Sequence, residues 1–189
     1  MRDRVIRDEI HRDILVPAHH ARIIDTHEFQ RLRNVQQLST CEFVFPSATH
    51  TRFAHSLGAY HLAGALTDSL QEVQPGLLSN DDAELVRLGA LLHDIGHPPY
   101  SHLLETPEVF ATYHSHEHWG RVMLEDTSSE IGQVLDEVLG NERKKRLFSI
   151  LDGAKECDGV SIAPFLKEII SSQLDVDRMD YMIRDQANT

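Results

Sequence analysis

The chain has 189 residues, 41% hydrophobic and 25% charged, which is the balance of a single globular domain with a sizeable core. Its net charge of −12 argues against broad electrostatic binding to nucleic acid, while leaving room for a local basic pocket that takes a phosphorylated small molecule. No apolar run reaches the roughly 20 residues that cross a bilayer, the N-terminus MRDRVIRDEIHRD lacks the apolar centre of a signal peptide, and Cys41 and Cys157 are too isolated for a disulfide framework or a cysteine zinc site. Cytoplasmic residence, without membrane association, is the resulting expectation.

In chain order, residues 3–16 mix charges with Val5, Ile6, Ile10, Ile14 and Leu15 and read as a hairpin or an extended arm. Pro17 opens a helix to about residue 24. Thr26 caps a second, HEFQRLRNVQQL, in which Phe29, Leu32, Val35 and Leu38 recur every three residues. Ser39 to Thr49 reads as a loop. The stretch THTRFAHSLGAYHLAGALTDSLQEV predicts a long helix with His55, Ala59, Leu62 and Leu66 on one stripe, ended by Pro75-Gly76. Asp81 and Glu84 can cap DDAELVRLGALLHDI, whose apolar face is Leu85, Leu88, Leu91, Leu92 and Ile95, and which Gly96 and Pro98-Pro99 stop. Helices follow at about 115–126 and 130–139, then a basic loop NERKKR, a helix at 145–152, and an element PFLKEIISSQLDVDRMDYMIRDQ opened by Pro164. No stretch carries the alternating β-branched pattern of a sheet. The predicted class is all-α, one helical domain over 1–189.

Histidine is the unusual residue: thirteen in all, six of them from His93 to His118. His93 and Asp94 stand side by side at the end of a leucine stripe, about 100° apart around a helix, so one ion beside that helix end can take a ligand from each. His55 projects from an apolar stripe, where an unpartnered imidazole is costly. Asp177 lies among apolar residues in LDVDRMDY. Two histidines and two aspartates form a mixed N/O set suited to Mn, Fe, Zn, Co or Mg rather than Ca. Taken singly, such a histidine is more often a hydrogen-bonded core residue, such an aspartate a cap or ion-pair member, and a His-Asp dipeptide a chance occurrence. The ordered combination on separate helices is the specific signal. In the last element, Asp177, Tyr181 and Asp185 recur every four residues and share a helix face, and Arg52 and Arg178 offer forked donors to phosphate oxygens.

The order His55, His93-Asp94, Asp177, with the blocks DTHEFQRLRNVQQL, FPSATHTRFAHSLG, LLHDIGHPPYSH, SHEH and LDVDRMDYMIRDQ, resembles the HD superfamily of metal-dependent phosphohydrolases, and within it the deoxynucleoside triphosphate triphosphohydrolase branch. The resemblance runs from about Arg4 to Gln186. It implies an HD-domain helical bundle that hydrolyses a dNTP to deoxynucleoside and tripolyphosphate. His55, His93, Asp94 and Asp177 would hold a divalent transition metal (Mn, Fe, Zn, Co or Ni), alone or with Mg. His102 falls on the general acid that protonates the departing 5′ oxygen, and His97 and His116 on histidines that meet the phosphates. Glu105 replaces an aspartate near the catalytic histidine and is expected to orient His102 or His116. Arg52, Arg178, Tyr181 and Asp185 fall on triphosphate and sugar positions, and Gln37 and Leu38 on the segment against the deoxyribose. Arg4, Val5, Asp25, Gln30 and Arg33 match positions for an activating guanine nucleotide between subunits, although Arg7 and Glu9 depart from that pattern and a solvated, ion-paired helix face competes with it. The family continues through further helices that carry contacts between subunits, so this chain is expected to lack them and the protein to form a homo-oligomer. Two rivals stand beside this: another HD phosphohydrolase activity, on a nucleoside monophosphate or cyclic nucleotide, and a non-catalytic nucleotide-sensing module.

Overall fold

A computed structural model of the protein describes residues 2–105 and 114–189. The N-terminal segment is a hairpin: β1 (Arg4–Asp8) pairs antiparallel with β2 (Arg12–Val16), with Ile6 opposite Ile14. Asp8 shapes its turn by accepting from the backbone N–H groups of Ile10 and His11. Alternation sends Ile14 and Val16 into the core and leaves Val5 and Leu15 exposed.

Helix α1 (Ala18–Ile24) follows Pro17, and α2 (His27–Gln30) follows Thr26. The predicted helix HEFQRLRNVQQL does not run to Leu38. It tightens into a 3₁₀ turn at Arg31–Asn34, and Val35 is extended. The cause is tertiary: Gln36 bridges to Thr51, Val35 accepts from the Arg52 N–H at 2.8 Å, and the Arg31 guanidinium donates to the carbonyls of Ile95 and His97. Those bonds replace the helical ones the segment gives up.

Helix α3 (Arg52–Val73) is capped by Thr51, whose hydroxyl accepts from Ala54 N. Helix α4 (Asn80–Leu92) is capped by Ser79 rather than by Asp81. Asp81 and Glu84 instead turn to Arg143, and Glu84 also meets His19 and His20. Helix α5 (His116–Glu125) starts at the Ser115 cap. Helix α6 (Glu130–Asp152) absorbs the predicted basic loop: NERKKR is helical, and only Gly140, at φ 69°, interrupts the run. Its charges are partnered, Arg143 and Arg146 by the α4 acids and buried Lys144 by Asp136 of α6 itself at 2.7 Å. Strands β3 (Glu156–Cys157) and β4 (Val160–Ser161) make a minimal hairpin in KECDGVS. The last predicted element is two helices, α7 (Phe165–Ile170) and α8 (Val176–Asn188), because Asp175 leaves helical geometry to cap α8, accepting from Arg178 N at 2.7 Å.

The class is all-α with two small two-stranded sheets. The core gathers Leu57, Tyr60 and Ala63 of α3, Leu85, Leu88 and Leu91 of α4, and Leu135 and Leu147 of α6. Helix α3 packs between α4 and α8, so its first turns, the end of α4 and the start of α8 converge. Gly58 permits the α3–α8 approach: a Cβ there would stand 1.8 Å from Asp180 Oδ1. No helix among the described residues is long and apolar enough to cross a membrane.

Candidate active site

His55 comes from α3, His93 and Asp94 from the end of α4, and Asp177 from the first turn of α8. His55 is fully buried. Its Nδ1 faces Asp180 Oδ2 at 2.8 Å, and its Nε2 lies 3.0 Å from Asp177 Oδ1 and 3.7 Å from Asp94 Oδ2. His93 Nδ1 faces the Ala90 carbonyl at 2.8 Å, while its Nε2 lies 3.3 Å from Asp94 Oδ1 and 3.6 Å from Asp177 Oδ1. A carbonyl or an ionised carboxylate can only accept. Both Nδ1 atoms therefore carry hydrogen, and in the neutral rings both Nε2 atoms present lone pairs.

Neither Nε2 has a hydrogen-bond partner, although both are buried. They approach carboxylate oxygens closely but are misaligned for hydrogen bonds. Ligands about 2.1 Å from one ion stand about 3–3.4 Å from each other; the nitrogen–oxygen separations here run from 3.0 to 3.7 Å, and the ligand atoms of His55, His93 and Asp94 lie within 4.8 Å of one another. The donor set fits a divalent transition metal. Within the chain, the Arg52 guanidinium and protons on the facing histidines offset the clustered carboxylates. Burial opposes charging His55, but Asp177 and Asp180, with Asp94, outweigh it and push its pKa up to about 9. His93 is shifted upward against burial too, mainly by Asp94 and Asp177. Asp94 and Asp177 are held well below the usual carboxylate range, their own burial overcome by the facing histidines.

A second cluster adjoins the first. His97, 1% exposed, stacks on His116 with ring centroids 3.8 Å apart, and its Nε2 lies 3.4 Å from Asp94 Oδ1. Burial keeps it neutral, with its pKa lowered to about 4. Glu105 joins the two other histidines: Oε2 meets His102 Nδ1 at 2.9 Å, and Oε1 takes the His116 backbone N–H at 2.7 Å and faces its Nδ1 at 3.0 Å. The glutamate thus touches both rings it was expected to choose between. Tyr100 and Ser101 both adopt left-handed backbone geometry, φ 65° and 49°; this strained turn throws His102 outward, with its side chain 68% exposed. Gly96 lets α5 close in, since a Cβ there would lie 2.0 Å from the His116 carbonyl oxygen.

A cavity of about 420 Å³ opens between these clusters. Gln37, Arg52, His93, Asp94, His97, His102, His116, Asp177 and Tyr181 line it, and His55 is not among the lining residues. Arg52 is turned onto Asp94 Oδ2 and onto Ser101 Oγ, the latter at 2.9 Å. Leu38, Arg178 and Asp185 are not among the lining residues. Asp185 accepts from His50 at 2.8 Å, and the Arg178 side chain, half exposed, points along Asp175.

The structure also brings in residues that the sequence reading did not single out. Arg121 and Lys167 add positive charge to the lining. Asp180, held by Arg184 at 2.9 Å, orients His55, and Arg184 in turn binds Asp8 at 3.0 Å. The one local clue to Asp180 is its place three residues after Asp177. In the N-terminal group, Arg4 and Asp25 form a two-pronged pair at 2.6 and 2.5 Å. Gln30 accepts from Arg33 at 2.7 Å, the Arg33 guanidinium lies 3.6 Å over the Phe53 ring, and Val5 is exposed on the neighbouring strand.

The HD domain family profile matches residues 52–185. The chain is 40% identical over 98% of its length to an uncharacterized protein of Methanocaldococcus jannaschii, covering 34% of that protein. It is 35% identical over 96% of its length to the deoxynucleoside triphosphate triphosphohydrolase SAMHD1 homolog of Dictyostelium discoideum and 38% identical over 96% to deoxynucleoside triphosphate triphosphohydrolase SAMHD1 of Homo sapiens, covering 36% and 33% of them. The chain thus spans about a third of the length of these relatives.

Proposed function

Because this chain belongs to the HD domain family, we propose that it is a metal-dependent phosphohydrolase whose substrate is a deoxynucleoside triphosphate, cleaved at the α-phosphorus. The observation behind this is the pair of buried, unpartnered nitrogens, His55 Nε2 and His93 Nε2, facing Asp94 and Asp177, where His93, Asp94 and Asp177 line a cavity together with His97, His102 and His116. His55, His93, Asp94 and Asp177 would hold the ion, which would supply Lewis acidity toward a phosphate oxygen and the attacking water.

The rest follows from the chain's own groups. The water oxygen bonds to the α-phosphorus, the bond to the 5′ oxygen breaks, and that oxygen takes a proton. His102 suits the donor role because Glu105 occupies its Nδ1 and leaves Nε2 turned outward. Arg52, His97, His116, Arg121, Lys167 and Tyr181 offer donors to a triphosphate. Gln37 Oε1, buried and unpartnered, offers an acceptor to a sugar hydroxyl. The relatives named as deoxynucleoside triphosphate triphosphohydrolases support this substrate over a monophosphate or cyclic nucleotide. The same proposal includes a metal drawn from Mn, Fe, Co, Ni and Zn, with or without Mg, a guanine nucleotide activator at Arg4 and Asp25, self-association and cytoplasmic residence.

Product analysis tests it. Incubation with dNTP and a divalent metal should release intact tripolyphosphate and unphosphorylated deoxynucleoside, read by phosphorus NMR. Release of pyrophosphate with a nucleoside monophosphate would overturn breakage of the bond between the α-phosphorus and the 5′ oxygen, and tight metal and dNTP binding without turnover would make the chain a sensing module.

A further inference from the structure

A separate group of metal-ligating side chains lies toward the other end of α4. Glu84 precedes His93 by nine residues, roughly 13 Å along a helix axis. His19 and His20, adjacent on α1, both turn Nε2 to one oxygen, Glu84 Oε1, at 2.9 and 3.1 Å. Their rings meet edge to face with centroids 4.3 Å apart. One ligand atom from each of the three residues falls within a 4.8 Å span, and the 2.9 and 3.1 Å separations are close to those of nitrogen and oxygen atoms sharing an ion.

The surroundings support these groups as ligands. Metal-bound histidines and carboxylates are held from behind by a second hydrogen bond. His20, 1% exposed, has its Nδ1 2.8 Å from the hydroxyl of fully buried Tyr60. Glu84 gives its other oxygen to Arg143 at 2.8 Å, and Arg143 is itself anchored on Asp81 at 2.6 Å. The ring and the carboxylate are thereby aimed at one point. His19 is half exposed, which opens that point to solvent and leaves coordination positions for water. A hydrogen-bond hub alone would need only one imidazole on that oxygen; here two adjacent residues of a single short helix both turn to it.

We propose that His19, His20 and Glu84 bind a second divalent transition metal ion, Zn²⁺ by the chemistry of two imidazoles and a carboxylate, which fastens α1 to α4. This site is independent of the phosphohydrolase reading. Its ion would tie the hairpin side of the domain to the helix that ends in His93 and Asp94, without touching the cavity.

Zn²⁺ titration of the 189-residue chain against a chromophoric chelator tests it, with helicity of every variant checked by circular dichroism. The His93→Ala/Asp94→Ala protein should keep one tight equivalent, lost on adding His19→Ala or Glu84→Gln, and Zn²⁺ should raise its unfolding temperature only while His19 is present. Wild type should bind one equivalent more than His19→Ala, a comparison that still decides the matter should the doubly substituted protein fail to fold. Equal Zn²⁺ binding by folded wild type, His19→Ala and Glu84→Gln would overturn the site. A failure of the cavity site reads differently, as no loss of metal on substituting His93 and Asp94.

Discussion

His55 Nδ1 lies 2.8 Å from Asp180 Oδ2, with both side chains fully withdrawn from solvent. Asp180 is a carboxylate that hydrogen bonds from His11, His55 and Arg184 keep ionised, held far below the usual range despite its burial. This contact sets the hydrogen on Nδ1 and so turns the Nε2 lone pair toward Asp94 and Asp177. Asp180→Asn replaces the carboxylate with an amide that holds the ring less strongly. Metal affinity should fall about 10–100-fold, with binding restored at higher metal concentration and helicity retained. Unchanged affinity in a folded variant would confine Asp180 to a role in the fold.

His102 and His55 should fail in different ways. General acid catalysis is worth about 10²–10⁴-fold, so His102→Ala should lose rate by that order while keeping metal and dNTP binding. His55→Ala should lose metal and rate together. Glu105→Gln, which takes the carboxylate away from the Nδ1 of both His102 and His116, should lower rate with metal content unchanged. Metal content, dNTP affinity and tripolyphosphate release measured side by side decide this. If His102→Ala turns over within a few-fold of wild type, the acid is His116.

Asp8 ties stability to pH. Its burial would raise its pKa, but the Arg184 hydrogen bond and the His11 backbone N–H outweigh that and lower it. A folded pKa below the unfolded value of about 3.9 contributes stability that is fully present above that value and is lost as pH falls through the folded pKa. Asp8→Asn should cost about 3 kcal/mol at neutral pH, by leaving buried Arg184 one carboxylate short. It should also flatten the acid limb of urea-denaturation stability below about pH 4. Parallel limbs for the two proteins would show that Asp8 does not carry this dependence.

Arg4 and Asp25 face one another at the surface. Exposed pairs of this kind contribute little to stability, so Asp25→Ala should leave the unfolding curve and the metal content nearly unmoved. If the pair opens to hold a guanine nucleotide, the same substitution should abolish any effect of GTP or dGTP on activity or self-association. A response that survives in the variant would put the effector elsewhere.

The amino-acid sequence by itself determined the helical class, the hairpin-compatible arm, and the ordered histidines and aspartates, because each is written in local spacing. Leu85, Leu88, Leu91 and Leu92 mark the buried face of α4 by their 3.6-residue period, and His93-Asp94 at its end is conspicuous for breaking that face. Tertiary structure alone decided the helix boundaries that no local signal marks. Val35 leaves its helix and takes the Arg52 backbone N–H at the start of α3, and NERKKR stays helical because Arg143 and Arg146 find acids on α4. It also decided that Arg52 turns to Asp94, that Leu38, Arg178 and Asp185 stand away from the cavity lining, and that Asp180 answers His55 across 125 residues and Glu84 answers His19 across 65. Periodicity records which side of an element is apolar. It carries no record of which distant polar group meets a buried nitrogen, since that partner is chosen only when helices pack.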